Sequence, residues 1–148
     1  MVGRFTSMKR FITVYLFFIS IVLSQSRVHI NDLFQSGNLL LDSNKKPFTG
    51  IAYNTSSKSD KKLQESKYLK GLLHGTHKEW WENGNKKFQG RFKSGDKNGR
   101  WVGYFENGKL KSEINYKNGI KDGLETHWHE NGVKYSKGSY RKGIKVGE

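Results

Sequence analysis

The sequence contains no cysteine, so neither a disulfide framework nor a lipid-modified cysteine is available to this protein. Proline occurs once, at Pro47, and apolar residues make up only 34% of the chain, with a mean hydropathy of −0.79. A large globular core is therefore not expected. Acidic residues are also few, 13 against 27 Lys and Arg, which gives a net charge of +14. Aromatic residues reach 14%, and this favours a sheet lined by rings over a helical bundle.

The N-terminus has the pattern of an export signal. Three basic residues precede thirteen mostly apolar residues at 11–23, and Ser24-Gln25-Ser26 forms a small-x-small cleavage site. Thirteen residues are too few to cross a membrane, because a spanning helix needs about 20. The basic residues are Arg4, Lys9 and Arg10.

We therefore predict a signal peptide at 1–26, cleaved after Ser26, with either Met1 or Met8 as the start. A retained anchor and a buried helix are the alternatives. The expected localisation is secreted or periplasmic, and the protein is not expected to be a lipoprotein. Because the signal holds three basic and no acidic residues, the mature chain would keep 24 basic against 13 acidic residues, a charge of +11. Such a protein is attracted to anionic lipids, acidic polysaccharide, nucleic acid or acidic proteins.

A 24-residue period organises the second half of the chain. Glu-Asn-Gly triplets begin at Glu82, Glu106 and Glu130, and four further registers of glycine or aromatic residues keep the same step. A fixed period of this length indicates a stacked repeat architecture, in which each unit contacts only its neighbours. The four registers are Gly75, Gly99, Gly123 and Gly147; Gly95, Gly119 and Gly143; Trp80, Tyr104 and Trp128; and Phe92, Tyr116 and Tyr140.

Each unit is predicted to be a β-hairpin followed by a tight turn. In the copy at 99–122, aromatic and branched residues at 100–105 precede Asn107-Gly108, and residues 109–116 alternate in polarity. Asn-Gly is a strong hairpin signal because both turn residues tolerate positive φ.

The hairpin register stays open at this level. A two-residue loop pairs Trp101 with Ile114 and leaves Tyr104 beside Lys111. A three-residue loop reverses the parity, so that Tyr104 joins Leu110 and Ile114 on one face.

The predicted fold class is all-β: an elongated antiparallel sheet of stacked 24-residue β-hairpins, preceded by an N-terminal signal helix. Residues 45–53 resemble an opening strand, and Gly147-Glu148 begins a further copy. The edge strand left there needs protection by lysines or by a partner chain. The predicted segments are a signal peptide at 1–26, a lead-in at 27–44 and an array at 45–148, with an irregular copy at 45–74 and regular copies at 75–98, 99–122 and 123–146.

These units resemble the MORN repeat, in the variant form common in bacterial proteins. The resemblance is carried by residues 101–113, by the Asn118-Gly119-x-x-Asp122-Gly123 junction and by the entry Pro47-Phe48-Thr49-Gly50, and it covers about 45–148. It implies a ribbon of β-hairpins and a module that associates with proteins or membranes. Relatives of this variant are often labelled YwqK family antitoxins, whereas an antitoxin against an intracellular toxin should stay in the cytoplasm.

Catalytic motifs are missing from the sequence. Gly-x-Ser-x-Gly does not occur, and the glycines recur at turn spacing and not in a phosphate-binding loop. We therefore expect neither an enzyme nor a cofactor. Rings with basic neighbours suit stacking on sugars or bases, although packing between repeats is the alternative. The candidate ligand-binding residues are Trp81, Arg91, Trp101, Phe105 and Lys111.

One trio has metal-ligand spacing. Glu125, His127 and His129 alternate, so all three project from the same face of one strand. His-x-His on a strand offers two zinc ligands, with Glu125 as a third. An ordinary polar strand face is the preferred interpretation, because the sister repeats lack the trio, and no metal is expected.

The sequence thus predicts a non-catalytic exported scaffold that mediates protein or envelope-surface interaction through a basic, aromatic sheet. The alternative is an antitoxin- or immunity-like protein that binds one specific partner. The expected partner is another protein or an anionic envelope surface. Peripheral membrane contact and edge-strand self-association are compatible with the sequence, whereas nucleic acid is not expected for an exported chain.

Overall fold

The computed structural model describes residues 26–147, so the predicted signal helix lies outside the described residues. The described chain consists of β-strands and a short 3-10 helix at Ile30–Asp32, and none of its helices is long and apolar enough to cross a membrane. The strands are β1 (Arg27–His29), β2 (Phe34–Ser36), β3 (Leu39–Leu41), β4 (Gly50–Thr55), β5 (Lys62–Leu69), β6 (Leu72–Trp80), β7 (Lys86–Lys93), β8 (Asp96–Lys97), β9 (Gly99–Tyr104), β10 (Leu110–Lys117), β11 (Ile120–Trp128), β12 (Lys134–Arg141) and β13 (Ile144–Val146).

Eleven of the described strands form one sheet in the order β1-β4-β5-β6-β7-β9-β10-β11-β12-β13, with β8 paired to β7, while β2 and β3 form a separate hairpin. Strands of the array pair with their neighbours in antiparallel fashion, which confirms the predicted all-β repeat fold. The strand pair β1–β4 differs from the predicted antiparallel sheet, because β1 runs parallel to β4. Residues 30–49 between them are long enough for the crossover of about a dozen residues that a parallel pair requires.

The Glu-Asn-Gly loops have three residues. In the copy at 99–122, Gly108 N–H donates to the Phe105 carbonyl at 2.9 Å, and Phe105 N–H donates to the Lys109 carbonyl at 2.8 Å. Gly108 has a positive φ of +83°, but Asn107 does not, so this turn uses positive φ at the glycine and not at the asparagine. Asn107 instead accepts a hydrogen bond from Lys109 N–H through its side-chain oxygen, at 3.0 Å.

A β-bulge next to this loop decides the register. Tyr104 pairs with Leu110 and Trp101 pairs with Ile114, with a register shift between Leu110 and Ser112. Alternation along β9 places Tyr104 on the face opposite Trp101. The extra residue on β10 places Leu110 on the face of Tyr104, opposite Ile114. Neither of the two predicted registers holds along the whole hairpin. Next to the loop the strands pair as a three-residue loop requires, and beyond the bulge they pair as a two-residue loop requires.

The turns between repeats have two residues, both with positive φ. Asn118 (+49°) and Gly119 (+79°) connect Lys117 to its pairing partner Ile120, and the same geometry recurs at 70–71, 94–95 and 142–143. The last three of these turns also contact the preceding repeat, since the N–H of each glycine donates to a carbonyl 22 residues earlier. These bonds join Gly95 to Leu73 (2.8 Å), Gly119 to Lys97 (2.9 Å) and Gly143 to Lys121 (2.9 Å). The turns of successive repeats are therefore stacked and joined by hydrogen bonds at the same 24-residue period.

The two faces of the array carry different side chains. Facing residues of paired strands lie on the same face, and successive residues alternate. We call the face with His77, Phe92, Trp101 and Tyr116 the packed face. We call the face with Lys78, Gln89, Val102 and Glu113 the basic face, after the cations described below.

The hydrophobic core lies on the packed face of the first copy. Leu40, Phe48, Ala52 and Tyr68 are each at most 9% exposed and form one cluster. The β2–β3 hairpin covers this cluster and is held by the turn at Gly71, whose carbonyl accepts from Leu40 N–H and whose N–H donates to the Phe48 carbonyl. The N-terminal segment is thus a cap on one end of the array.

The predicted opening strand at 45–53 is wrong in its first half. The strand begins at Gly50, while Pro47 only bridges to Leu41 and Phe48 turns its ring into the core. Proline has no N–H for the ladder, so a strand interior does not accommodate it.

Candidate interaction surface

Cations collect on the basic face of the array. Two carboxylates, Glu65 and Glu113, lie among them, and both are already bound. The cations are Lys62, Lys67, Lys78, Lys86, Arg91, Arg100, Lys134 and Lys137. This excess of positive charge produces a field that attracts anions.

Arg100 holds Glu113 in a two-point contact, with Nε to Oε1 at 2.6 Å and Nη2 to Oε2 at 2.7 Å. This pair lowers the pKa of Glu113 and raises the pKa of Arg100. Partial burial would raise the pKa of Glu65, but Lys62 at 2.7 Å and Arg27 at 2.9 Å outweigh it and keep that pKa below its usual value. Both carboxylates are therefore ionised and engaged at neutral pH.

Six other cations of this face have no carboxylate within 4 Å among residues 26–147. They are Lys67, Lys78, Lys86, Arg91, Lys134 and Lys137. Lys78 and Lys134 interact with Glu65 and Glu113 at longer range, but none of the six is held in a close ion pair, so they can bind an anionic partner.

Arg91 on β7 and Arg100 on β9 lie at the same depression of the basic face. The ladder between these strands ends at Gln89 and Val102, and beyond it Asn98 N–H donates to the Arg91 carbonyl at 2.9 Å. Two like charges beside one depression repel each other. Together with Thr76 and Lys78, the two arginines line a shallow depression of about 220 Å³. An anionic group placed there would relieve the repulsion.

One row across the basic face has a ring on every second strand, with lysines on the strands between and beside them except at Leu110. The ladder pairs Trp80 with Lys86, Tyr104 with Leu110, and Trp128 with Lys134. Lys62 Nζ lies 5.9 Å from the Trp80 ring, which extends the row by one strand. We call Lys62, Trp80, Lys86, Tyr104, Leu110, Trp128 and Lys134 the ring–lysine row.

The ring–lysine row is held by its own hydrogen bonds. Lys86 Nζ donates to Gln89 Oε1 at 3.1 Å, and Gln89 Nε2 donates to the Tyr104 hydroxyl at 3.2 Å. Lys134 Nζ stands 5.8 Å from the centre of the Trp128 ring, within the range of a cation–π contact. All three rings are half-buried, so each keeps part of its surface in solvent.

Trp101, one of the predicted ligand residues, is enclosed on the packed face. Its side chain is 7% exposed, and its ring lies 4.9 Å from Phe92 and 5.6 Å from His77. Lys97 Nζ covers the ring at 4.5 Å, and Trp101 Nε1 donates to the Arg91 carbonyl at 3.1 Å. These contacts are those of packing between repeats.

The other predicted ligand residues divide between the two faces. Trp81 and Phe105 occupy equivalent positions at the end of the packed face, where Lys87 lies 5.0 Å from Trp81 and Lys111 lies 5.5 Å from Phe105. Arg91 pairs with Thr76 on the basic face. The five residues therefore do not form one cluster, and a ligand role for them stays a prediction.

A hydrogen-bonded Ser-His-Glu chain lies on the packed face. Ser66 Oγ is 2.8 Å from His77 Nδ1, and His77 Nε2 is 3.0 Å from Glu79 Oε1. Ser66 is 0% exposed, so a substrate could not reach its hydroxyl. The chain satisfies buried polar groups beneath the rings, which is a structural role.

Glu125 of the metal candidate trio is already engaged by neighbouring side chains. Lys121 Nζ contacts both Glu125 oxygens, at 2.7 and 2.8 Å, and His127 Nε2 is 2.8 Å from Glu125 Oε1. His129 instead stacks on Tyr135 with ring centres 4.5 Å apart. Within the described part of the chain, no three His, Asp or Glu side chains are grouped to hold a metal ion.

Sequence reasoning missed the ring–lysine row, although its rings formed one of the recognised 24-residue registers. Trp80 and Trp81 are adjacent in the chain and take opposite faces, and the bulge on β7 determines that Lys86 is the residue beside Trp80. A three-residue loop with glycine at its last position is the sequence feature that indicates such a bulge.

Stacked hairpins that contact only their neighbours, with a cap at one end and an extended charged face, define a linear β-repeat protein. The comparisons agree with this class. A family model described as the MORN repeat variant matches residues 73–94, 97–118 and 121–142. Neither the curated proteins nor the solved structures gave a match.

Residues 73–142 are therefore three consecutive MORN repeats of the variant type, which confirms the family resemblance. MORN repeats are in general protein- or membrane-interaction motifs.

Proposed function

We propose that this protein is a non-catalytic, exported scaffold that docks onto an anionic partner, an acidic protein or an envelope surface, through the basic face of its MORN array. The observation that carries the proposal is the set of basic-face cations without a carboxylate within 4 Å in residues 26–147, which are Lys67, Lys78, Lys86, Arg91, Lys134 and Lys137. Export is supported by the pattern of basic, apolar and small residues at 1–26.

Electrostatic attraction of this kind acts mainly on association and weakens with salt. The array suits such docking because its basic face runs along the whole ribbon, so many weak contacts add up. A flat, open surface with shallow depressions also suits a macromolecule better than a small substrate.

The test reverses charge on one face only. We expect Lys78→Glu with Arg91→Glu to weaken binding to poly-glutamate and to phosphatidylglycerol vesicles by at least about tenfold at low salt. The double variant Lys58→Glu, Lys109→Glu changes net charge equally at exposed loop positions and should change binding by less than about twofold. Equal losses in both variants would mean that net charge, and not this face, attracts the partner.

A second function, an antitoxin- or immunity-like protein with one specific partner, is favoured by a different observation. Ile120, Leu124 and Ile144 in the last repeat are 51%, 50% and 71% exposed. Exposed apolar side chains close together are typical of a defined protein interface. Affinity capture from the host separates the two: one stoichiometric partner, bound equally at high salt, supports this function, whereas salt-sensitive binding to several acidic components supports the scaffold.

A further inference from the structure

We propose that the ring–lysine row is a binding track for a linear acidic polysaccharide in which acidic and neutral sugars alternate. The proposal rests on the proposed function, because it names the anionic partner of the basic face. It is carried by the order and spacing of rings and lysines across the strands.

The row runs along the long axis of the ribbon. Trp80, Tyr104 and Trp128 are one repeat apart, which is two strands or roughly 10 Å. Lys62 precedes the first ring, Lys86 lies on the strand between the first two rings, Leu110 on the strand between the second and third, and Lys134 follows the third. A polymer lying along the ribbon therefore meets a flat ring in each repeat, with a positive charge before, between the first two and after the last of these rings.

An alternating acidic polysaccharide presents these two features in the same order. The C–H face of a sugar ring is apolar and packs on an aromatic ring, while the carboxylate of the acidic sugar accepts hydrogen bonds from a lysine amine. A poly-carboxylate or polyphosphate chain has the charge but no apolar ring face. In a stacked nucleic acid strand the bases recur every ~3.4 Å, about a third of the spacing between these rings.

The rings of the row are open to such a ligand. The N-terminal cap lies on the packed face, with Leu40 and Phe48 against Tyr68, and in residues 26–147 the basic face has no corresponding cover. Gln89 bonds both Lys86 and Tyr104, so this lysine and this ring are already oriented before a ligand arrives. Preorganisation of this kind reduces the entropy lost on binding.

The chain provides matched controls in adjacent residues. Trp80 belongs to the row, whereas Trp81 lies on the packed face beside Lys87. Lys86 belongs to the row, whereas Lys87 Nζ lies 3.7 Å from Glu79 on the packed face. Each pair of variants has the same composition and net charge and differs only in the face that it alters.

The experiment measures binding of hyaluronan fragments, of two and of ten sugars, by calorimetry at low salt, with poly-glutamate as a charged polymer without sugar rings. We expect the ten-sugar fragment to bind at least about tenfold more tightly than the two-sugar fragment, because it contacts more than one repeat. Trp80→Ala and Lys86→Glu should each weaken its binding about tenfold, and Trp81→Ala and Lys87→Glu less than twofold. Trp80→Phe should restore most of the affinity, and thermal unfolding verifies that each variant is folded.

The outcomes distinguish the polysaccharide proposal from the scaffold proposal on which it rests. If hyaluronan and poly-glutamate both bind, and both are weakened by Lys78→Glu with Arg91→Glu but not by Trp80→Ala, the scaffold proposal stands and the polysaccharide track is wrong. Equal losses for Trp80→Ala and Trp81→Ala also overturn the track. If neither polymer binds at low salt, both proposals are wrong.

Discussion

The first copy and the last repeat share one hairpin plan but differ in what covers the packed face. In the first copy, Tyr68 lies under Phe48 and Leu40 of the cap and is 9% exposed. In the last repeat, Tyr140 at the equivalent position is covered by the amine of Lys121 at 4.9 Å. Ile144, which pairs with Arg141 and so projects from the opposite face, is 71% exposed. The same backbone is thus closed by a hydrophobic cap at one end and by side chains of the sheet itself at the other.

The residue at one position of the repeat differs between the capped and the uncapped copies. Leu73 packs against the capped core, whereas the residues one and two periods later are Lys97, 4.5 Å from the Trp101 ring, and Lys121. Lysine suits the uncapped positions because its methylene stem covers a ring while its amine stays in water. The repeats therefore keep one backbone period, while the side chains that cover the rings of the packed face differ from copy to copy.

The largest effect is expected where the cap meets the sheet. Phe48→Ala removes a ring that is 4% exposed, and we expect a loss of about 3–5 kcal/mol in the free energy of unfolding, measured with urea. Ile144→Ala at the other end should change it by less than about 0.5 kcal/mol. Similar losses at both ends would show that the last repeat is also covered in solution.

A smaller effect is expected at one glycine register. A Cβ at Gly90 would lie 2.3 Å from the Trp101 ring, whereas at Gly138, two periods later, the nearest atom is the flexible end of Lys145 at 3.1 Å. Gly90→Ala should therefore destabilise the protein by about 1–3 kcal/mol, and Gly138→Ala by less than about 1 kcal/mol. Urea unfolding of the two variants tests this, and a greater loss at Gly138 would contradict the packing described here.

The smallest effect concerns the ion pair of the last repeat. Burial would raise the pKa of Glu125, but hydrogen bonds from Lys121, His127 and Tyr140 outweigh it and lower that pKa below the ordinary 4.5. The pair therefore stabilises the fold above pH 4.5, and this contribution is lost as the pH falls through the lower folded pKa. Glu125→Gln should cost about 1 kcal/mol at pH 7, a difference that disappears in acid.

The measurement for the ion pair is urea unfolding between pH 7 and pH 2. Glu106→Gln, in an exposed loop, is the control and should follow the wild-type pH profile. A difference between wild type and Glu125→Gln that stays constant down to pH 2 would mean that the carboxylate contributes shape and not charge.

The repeat, the hairpins and the family could be predicted because they depend on local properties. Asn118-Gly119 makes a two-residue turn in which both residues have positive φ, and a fixed period implies that the turns stack. The faces could not be predicted, because one bulge residue near Leu110 reverses the side of every residue beyond it.

Composition and spacing were enough to predict the all-β architecture, the period, the MORN resemblance and the excess of positive charge. They could not predict that Trp101 is enclosed while Trp80, Tyr104 and Trp128 line the basic face with Lys86 and Lys134. Burial and charge pairing depend on which strands lie side by side and on the face from which each side chain projects. Both follow from the register and the cap, which long-range contacts establish.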